Sequence, residues 1–163
     1  MTGLDLLRSR IVQTAGASAI ALASIVIVWF EGYEPTPYRD PVGILTVCYG
    51  HTTRVVPGRT YTKEECEQIL REDMALAFAA VDRHVIVTLP TLTHAALASF
   101  VFNVGEEKFR TSTLLRKLNN GEEWSACDEL KRWVYAKGKK LPGLVKRRDF
   151  EHEMCVKGFN GET

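Results

Sequence analysis

The sequence has little that would direct it to metals, nucleic acid or anionic surfaces. Histidines number only four, and the four cysteines, Cys48, Cys66, Cys127 and Cys155, form no C-x-x-C motif and have no histidine pair at zinc-finger intervals. Neither zinc nor any other metal or cofactor is therefore expected. Charge of one sign is also lacking: 21 basic and 20 acidic side chains leave a net +1, too weak a field to hold the whole molecule on nucleic acid or an anionic membrane. The basic cluster Lys137, Lys139, Lys140, Lys146, Arg147 and Arg148 has no stacking aromatics interleaved with it, which argues against nucleic-acid binding. It reads as a solvated helix face, with attraction to anionic wall polymers as the functional alternative. A chain of 163 residues suits one domain of two lobes, with a core that needs no metal or disulfide.

The most telling local absence is of charge. From Ile11 to Phe30 twenty residues carry none, just enough for a helix to cross the hydrocarbon layer. Arg8 and Arg10 precede the run, which keeps the N-terminus cytoplasmic and sends the body of the chain outward. The grip is weak, because Gln13, Thr14, Gly16, Ser18 and Ser24 interrupt the run and five alanines dilute it. Its Ile, Val, Leu and Phe residues supply roughly 3 to 5 kcal/mol of insertion energy, from which the polar residues subtract. Reversible insertion competes with three other readings: a signal peptide cleaved at Ala21-Leu22-Ala23, a permanent anchor, and a buried core helix. An exported chain can join its cysteines in any of three pairings, whereas four buried thiols suit a cytosolic one.

Residues 31 to 52 carry the chemistry. Glu31 follows Trp29 and Phe30, apolar surroundings of the kind that keep a carboxyl protonated and ready to act as a general acid. Asp40 lies in a turn signal, Tyr38-Arg39-Asp40-Pro41-Val42-Gly43, and Ile44 to Tyr49 reads as the returning strand of a hairpin bearing Thr46. That hairpin brings a carboxylate and a hydroxyl together, able to hold and activate one water opposite the acid, the layout of glycoside hydrolysis. His51 closes a Gly-His turn and is read as orienting its neighbours rather than as a base.

Glu31-x8-Asp40-x5-Thr46, followed by Tyr49-Gly50-His51, resembles the active-site signature of phage lysozymes. Residues 100–121, 126–133 and 141–155 are similar to that family's later helices. The resemblance implies a lysozyme-like α+β fold, mainly α, in which a small β-hairpin lobe and a larger helical lobe enclose a cleft. It implies an endolysin that hydrolyses, with inversion, the β-1,4 bonds between N-acetylmuramic acid and N-acetylglucosamine in peptidoglycan. Glu31 would be the acid, Asp40 the residue that activates or orients water, and Thr46 its partner. Phe102 and Asn103, in a stretch similar to the family's cleft wall, are candidates for sugar contact; core packing and helix-end capping are the plainer readings. A lytic transglycosylase is the enzymatic rival, disfavoured by Asp40 and Thr46, and a non-catalytic membrane-anchored wall-binding protein is the rival from another class.

The division expected is a signal-anchor-release segment over 1–30 and a catalytic domain over 31–163, with the β lobe at about 31–61 and the helical lobe at about 62–163. Thr62-Lys63-Glu64-Glu65 is a capping box opening a helix to about 83. Pro90 precedes an apolar helix to about 103, and shorter helices are expected near 112–119, 123–136 and 143–157. Cys127 and Cys155, on the last two of these, are a candidate disulfide, which leaves Cys48 and Cys66 as a second. Because Glu31 adjoins the anchor, a tethered chain should be inactive at the periplasmic face of the inner membrane, and release should free a soluble, monomeric enzyme. A related subgroup exchanges disulfides with an anchor cysteine; none lies in residues 1–47, so that switch is not expected.

Overall fold

The computed structural model describes residues 3–13 and 18–161, beginning with two helices, α1 (Gly3–Gln13) and α2 (Ala19–Glu31). The apolar run is thus divided between them, and its residues 14–17 lie outside the described part. Ser18 caps α2 by accepting from the Ala21 N–H, and Ser24 Oγ donates to the Ile20 carbonyl at 2.8 Å. Leu22, Ala23, Val26 and Ile27 recur at helical spacing, are buried, and pack α2 against the helical body. Among the described residues no helix is long and apolar enough to cross a membrane.

Gly32, at φ 71°, ends α2, and the chain turns into an antiparallel hairpin of β1 (Glu34–Arg39) and β2 (Leu45–Cys48). Helix α3 (Lys63–His84) leaves this lobe through the capping box read from the sequence: Thr62 Oγ1 accepts from the Glu65 N–H, and Glu65 Oε2 accepts from the Thr62 N–H. The hairpin lobe is tied to α3 by the Cys48–Cys66 disulfide, by a 2.7 Å contact between His51 Nδ1 and Asp73 Oδ2, and by Arg59 Nη2, which donates to Glu65 Oε1 at 2.5 Å.

Helix α4 (Thr91–Val104) is apolar on nearly every side and is accordingly enclosed, packing against α2, α3 and a C-terminal helix. Beyond it come α5 (Glu106–Arg110), which the sequence reading missed, α6 (Thr113–Asn119) and α7 (Glu123–Glu129). The helix expected over 123–136 stops short: a 3₁₀ turn at Leu130–Arg132 follows α7, and Tyr135–Ala136 pairs as β3 with β4 (Lys139–Lys140). The turn at Gly138 closes this second hairpin, and the Leu141 N–H donates to the Val134 carbonyl. Finally α8 (Pro142–Phe159) crosses α4 and is joined to α7 by the Cys127–Cys155 disulfide.

Glu129 at the end of α7 is nearly buried between Lys117 Nζ at 2.7 Å and Arg132 Nη1 at 3.1 Å. The hydrogen bond from Lys117 holds its carboxyl below the ordinary 4.5 against the opposing effect of burial, with Arg132 adding to it. A depressed folded value contributes stability that is present above pH 4.5 and lost as pH falls through the lower value. Melting temperature should therefore drop on acidification below 4.5, and Glu129→Gln should flatten that drop in a melting series from pH 7 to 3.

Candidate active site

Glu31 is the last residue of α2, where the negative end of the helix dipole meets its carboxylate unfavourably. A cation supplies the compensation: Arg147 Nη1 on α8 donates to Glu31 Oε1 at 2.5 Å. Arg147 is 4% exposed and Glu31 19%, so the pair is screened from bulk water on one side and reachable on the other. Burial disfavours the Arg147 charge, but the carboxylates of Glu151 and Glu31 outweigh it and hold the guanidinium above its ordinary value. Beside the apolar neighbours read from the sequence, Glu31 thus meets a cation, with the Phe30 ring 5.7 Å from the Arg147 guanidinium carbon.

This corrects the reading of the basic cluster. Arg147 and Arg148 are buried rather than solvated. Arg147 Nε and Arg148 Nη1 both reach Glu151, at 3.1 and 2.6 Å, and Arg148 Nη2 donates to Asn103 Oδ1. Arg147 is thus a site residue that sequence reasoning missed. The Arg-Arg-x-x-Glu spacing at 147–151 was the available signal, since side chains three and four apart share a helix face.

On the hairpin, the backbone N–H groups of Val42 and Ile44 donate to Asp40 Oδ1 at 2.9 and 2.8 Å. The side chain thereby stabilises the turn that carries it. Asp40 N–H donates to the Ile44 carbonyl, and Thr46 pairs across the strands with Tyr38, so Asp40 and Thr46 are diagonal neighbours on one face. Thr46 is buried, and its Oγ1 donates to the Ile44 carbonyl at 3.0 Å. Tyr38 shares that face and was not singled out from the sequence. Burial, and then the charges of Glu31, Asp40 and Glu34, raise its hydroxyl above the ordinary range.

Gly50 joins the two halves of the site. A Cβ there would lie 2.6 Å from Glu31 Oε2, and the residue has φ +81°, so the hairpin lobe closes against the Glu31 carboxylate only because no side chain intervenes. Gly50→Ala should cost about 1–2 kcal/mol for the left-handed backbone alone. It should also push the carboxylate aside, which thermal melting and a turbidity assay would detect together.

Gly50 and His51 also border a groove of about 380 Å³ lined by Asp73 and Leu76 of α3 and by Phe102 and Glu106. Phe102 is half-buried in this wall, whereas Asn103 is exposed and caps no helix end, being engaged instead by Arg148. The structure therefore gathers Glu31, Asp40 and Thr46 about the hairpin, sets Phe102 on the adjoining groove, and pairs the four cysteines as Cys48–Cys66 and Cys127–Cys155. Among the described residues no acid, cysteine and histidine cluster is built to hold a metal ion.

The phage lysozyme family model matches residues 28–151. Over 159 residues the chain is 45% identical to the SAR-endolysin of Bacteriophage PS119, covering 93% of this chain and 95% of that protein. The fold is similar to the muramidase domain of SpmX from Asticaccaulis excentricus, with TM-score 0.75 and 30% identity over 82% of this chain and 94% of that one. It is also similar to the active form of the P1 phage endolysin Lyz, with TM-score 0.78 and 24% identity over 98% and 96% of the two chains.

Proposed function

Because the chain belongs to the phage lysozyme family and is a peptidoglycan-lysing muramidase of the endolysin type, we propose that Glu31, Asp40 and Thr46 carry its hydrolysis of the bond between N-acetylmuramic acid and N-acetylglucosamine. One observation carries the reading: the Glu31 carboxylate, gripped by Arg147, abuts Gly50 at the edge of the groove, beside the hairpin that bears the other two. Glu31 protonates the glycosidic oxygen as the sugar takes on oxocarbenium character. Asp40 Oδ1 is committed to its turn, so Oδ2 is the oxygen that draws a proton from water. The Thr46 hydroxyl spends its hydrogen on the Ile44 carbonyl, so its lone pairs accept the water's second O–H. Water held in this way attacks from the face opposite the leaving group and inverts the anomeric centre. Phe102 offers its ring to a sugar face in the groove.

Residues 11–30 cross the inner membrane before lysis, with the body in the periplasm. While they do so, α2 cannot pack on the body and Glu31 is held at the membrane face, so the tethered form is inactive. Release lets Leu22, Val26 and Ile27 bury against the body at about 1.5–3 kcal/mol each, a gain able to compete with the roughly 3–5 kcal/mol of insertion. Arg8 supports the released reading: it bonds Glu153 on α8 at 2.8 Å, a partner that lies across the membrane from it in a tethered chain. The released enzyme acts as a monomer, which sedimentation at working concentration would check.

The test is digestion of purified peptidoglycan by the soluble protein, with mass analysis of the sugars and NMR of the first anomer formed. Hydrated muropeptides with free reducing ends and an inverted anomer are expected; anhydro-sugars would place the reaction with the transglycosylases instead. For the tether, a variant with leucines at Ser18 and Ser24 should stay in the membrane fraction and fail to lyse cells. Full activity from that fraction would sink the proposed control.

A further inference from the structure

Glu151 has a place in this molecule that its burial alone does not explain. It is fully enclosed on α8, yet it receives three hydrogen bonds: from Ser99 Oγ of α4 at 2.7 Å, from Arg147 Nε at 3.1 Å and from Arg148 Nη1 at 2.6 Å. Arg147 spends its Nε on Glu151 and directs Nη2 to the Ser99 carbonyl, which leaves Nη1 aimed at Glu31. A planar guanidinium has its donors in fixed relation, so anchoring two of them determines where the third points.

We propose that Glu151 is a positioning residue of the hydrolytic reaction, holding Arg147 in the one orientation in which its remaining donor grips Glu31. The inference rests on the role of Glu31 proposed above. The charges reinforce the geometry. Arg147 and Arg148 are two buried cations, balanced by Glu151 and Glu31. Besides Arg147, Glu31 lies near the Tyr38 hydroxyl, on which the hairpin carboxylates Asp40 and Glu34 also act. With Glu151 in place, Arg147 keeps a counter-ion whenever Glu31 takes up the proton it must deliver. Without it, Glu31 becomes the only carboxylate against two desolvated guanidinium groups, and its protonated form is opposed by both.

Two substitutions separate positioning from mere structural support. Glu151→Gln keeps the shape and an accepting oxygen but removes the charge. On soluble glycan oligomers its kcat should fall about tenfold to a hundredfold with KM unchanged. The alkaline limb of its kcat–pH profile, which reports loss of the acid's proton, should move about one pH unit toward acid. Glu151→Asp keeps the charge one methylene short, so its limb should stay where the parent's is while kcat falls. A purely structural Glu151 would lower the melting temperature of both variants and leave kcat and the limb of the surviving fold unmoved; that result overturns the proposal. Should Glu151→Gln fail to fold, kcat of Glu151→Asp decides: a fall at unchanged KM supports positioning, and a parental value overturns it. Glu31→Gln run alongside distinguishes the two levels, because an active Glu31→Gln defeats the assignment of the acid, whereas an inactive one beside a parental Glu151→Gln defeats only this inference.

Discussion

Replacing Glu31 with Gln should abolish lysis while leaving a folded protein. The amide matches the carboxylate in shape and can still accept from Arg147 Nη1, so the contact that closes α2 against α8 survives in weakened form. What disappears is the proton. General acid catalysis contributes about 10²–10⁴-fold to such a step, and the rate of turbidity loss on outer-membrane-stripped cells should fall by that factor. Circular dichroism and a cooperative melt would show that the fold is retained. If the variant lyses cells at the parental rate, Glu31 is not the acid, and the roles of Asp40 and Thr46 fall with it.

The largest loss of stability should come from Phe100→Ala. Phe100 is fully buried in α4, its ring packs edge-on against Trp133 at 5.3 Å and Phe109 at 6.4 Å, and the Arg148 guanidinium lies 4.9 Å from its centre. Truncation removes the transfer energy of a benzyl group and leaves a cavity that these neighbours, held by α5, by α8 and by the 3₁₀ turn before Trp133, cannot fill. The expected cost is about 3–5 kcal/mol, or roughly 6–20 °C of melting temperature for a domain of this size. Arg148 would also lose the ring that shelters its charge. A melt within a degree or two of the parent would mean that the core relaxes far more than its packing suggests.

Several features were open to inspection in the chain because they are local. A capping box needs only Thr62 and Glu65 three residues apart, and Pro90 can only begin a helix, so the starts of α3 and α4 were legible. The hairpin was legible for the same reason, its turn residues and alternation lying within about a dozen positions. The end of α7 was not. Nothing in residues 123–136 forbids a continuous helix, and what stops it is the pairing of Tyr135 and Ala136 with Lys140 and Lys139, a competing set of hydrogen bonds that local propensity does not weigh. The solvated reading of Arg147 and Arg148 failed in a related way. A charge is buried only where partners meet it, and the partners of Arg147 include Glu31, 116 positions away.

By itself the sequence determined the chemical inventory of this protein: the carboxyls of Glu31 and Asp40 and the hydroxyl of Thr46 at spacings that a hairpin and the residue before it can assemble, a weakly apolar N-terminal run, and helices whose apolar faces must be covered. Those properties follow from residue type and near-neighbour spacing. Only the tertiary structure decided how the inventory is used. It brought Arg147 to Glu31, set Gly50 where a side chain would collide with the Glu31 carboxylate, linked Asn103 to Arg148, and laid α2 into the core. The physical reason is that burial, charge balance and close approach belong to pairs of groups distant along the chain, and their energies do not exist until the fold has brought both members together.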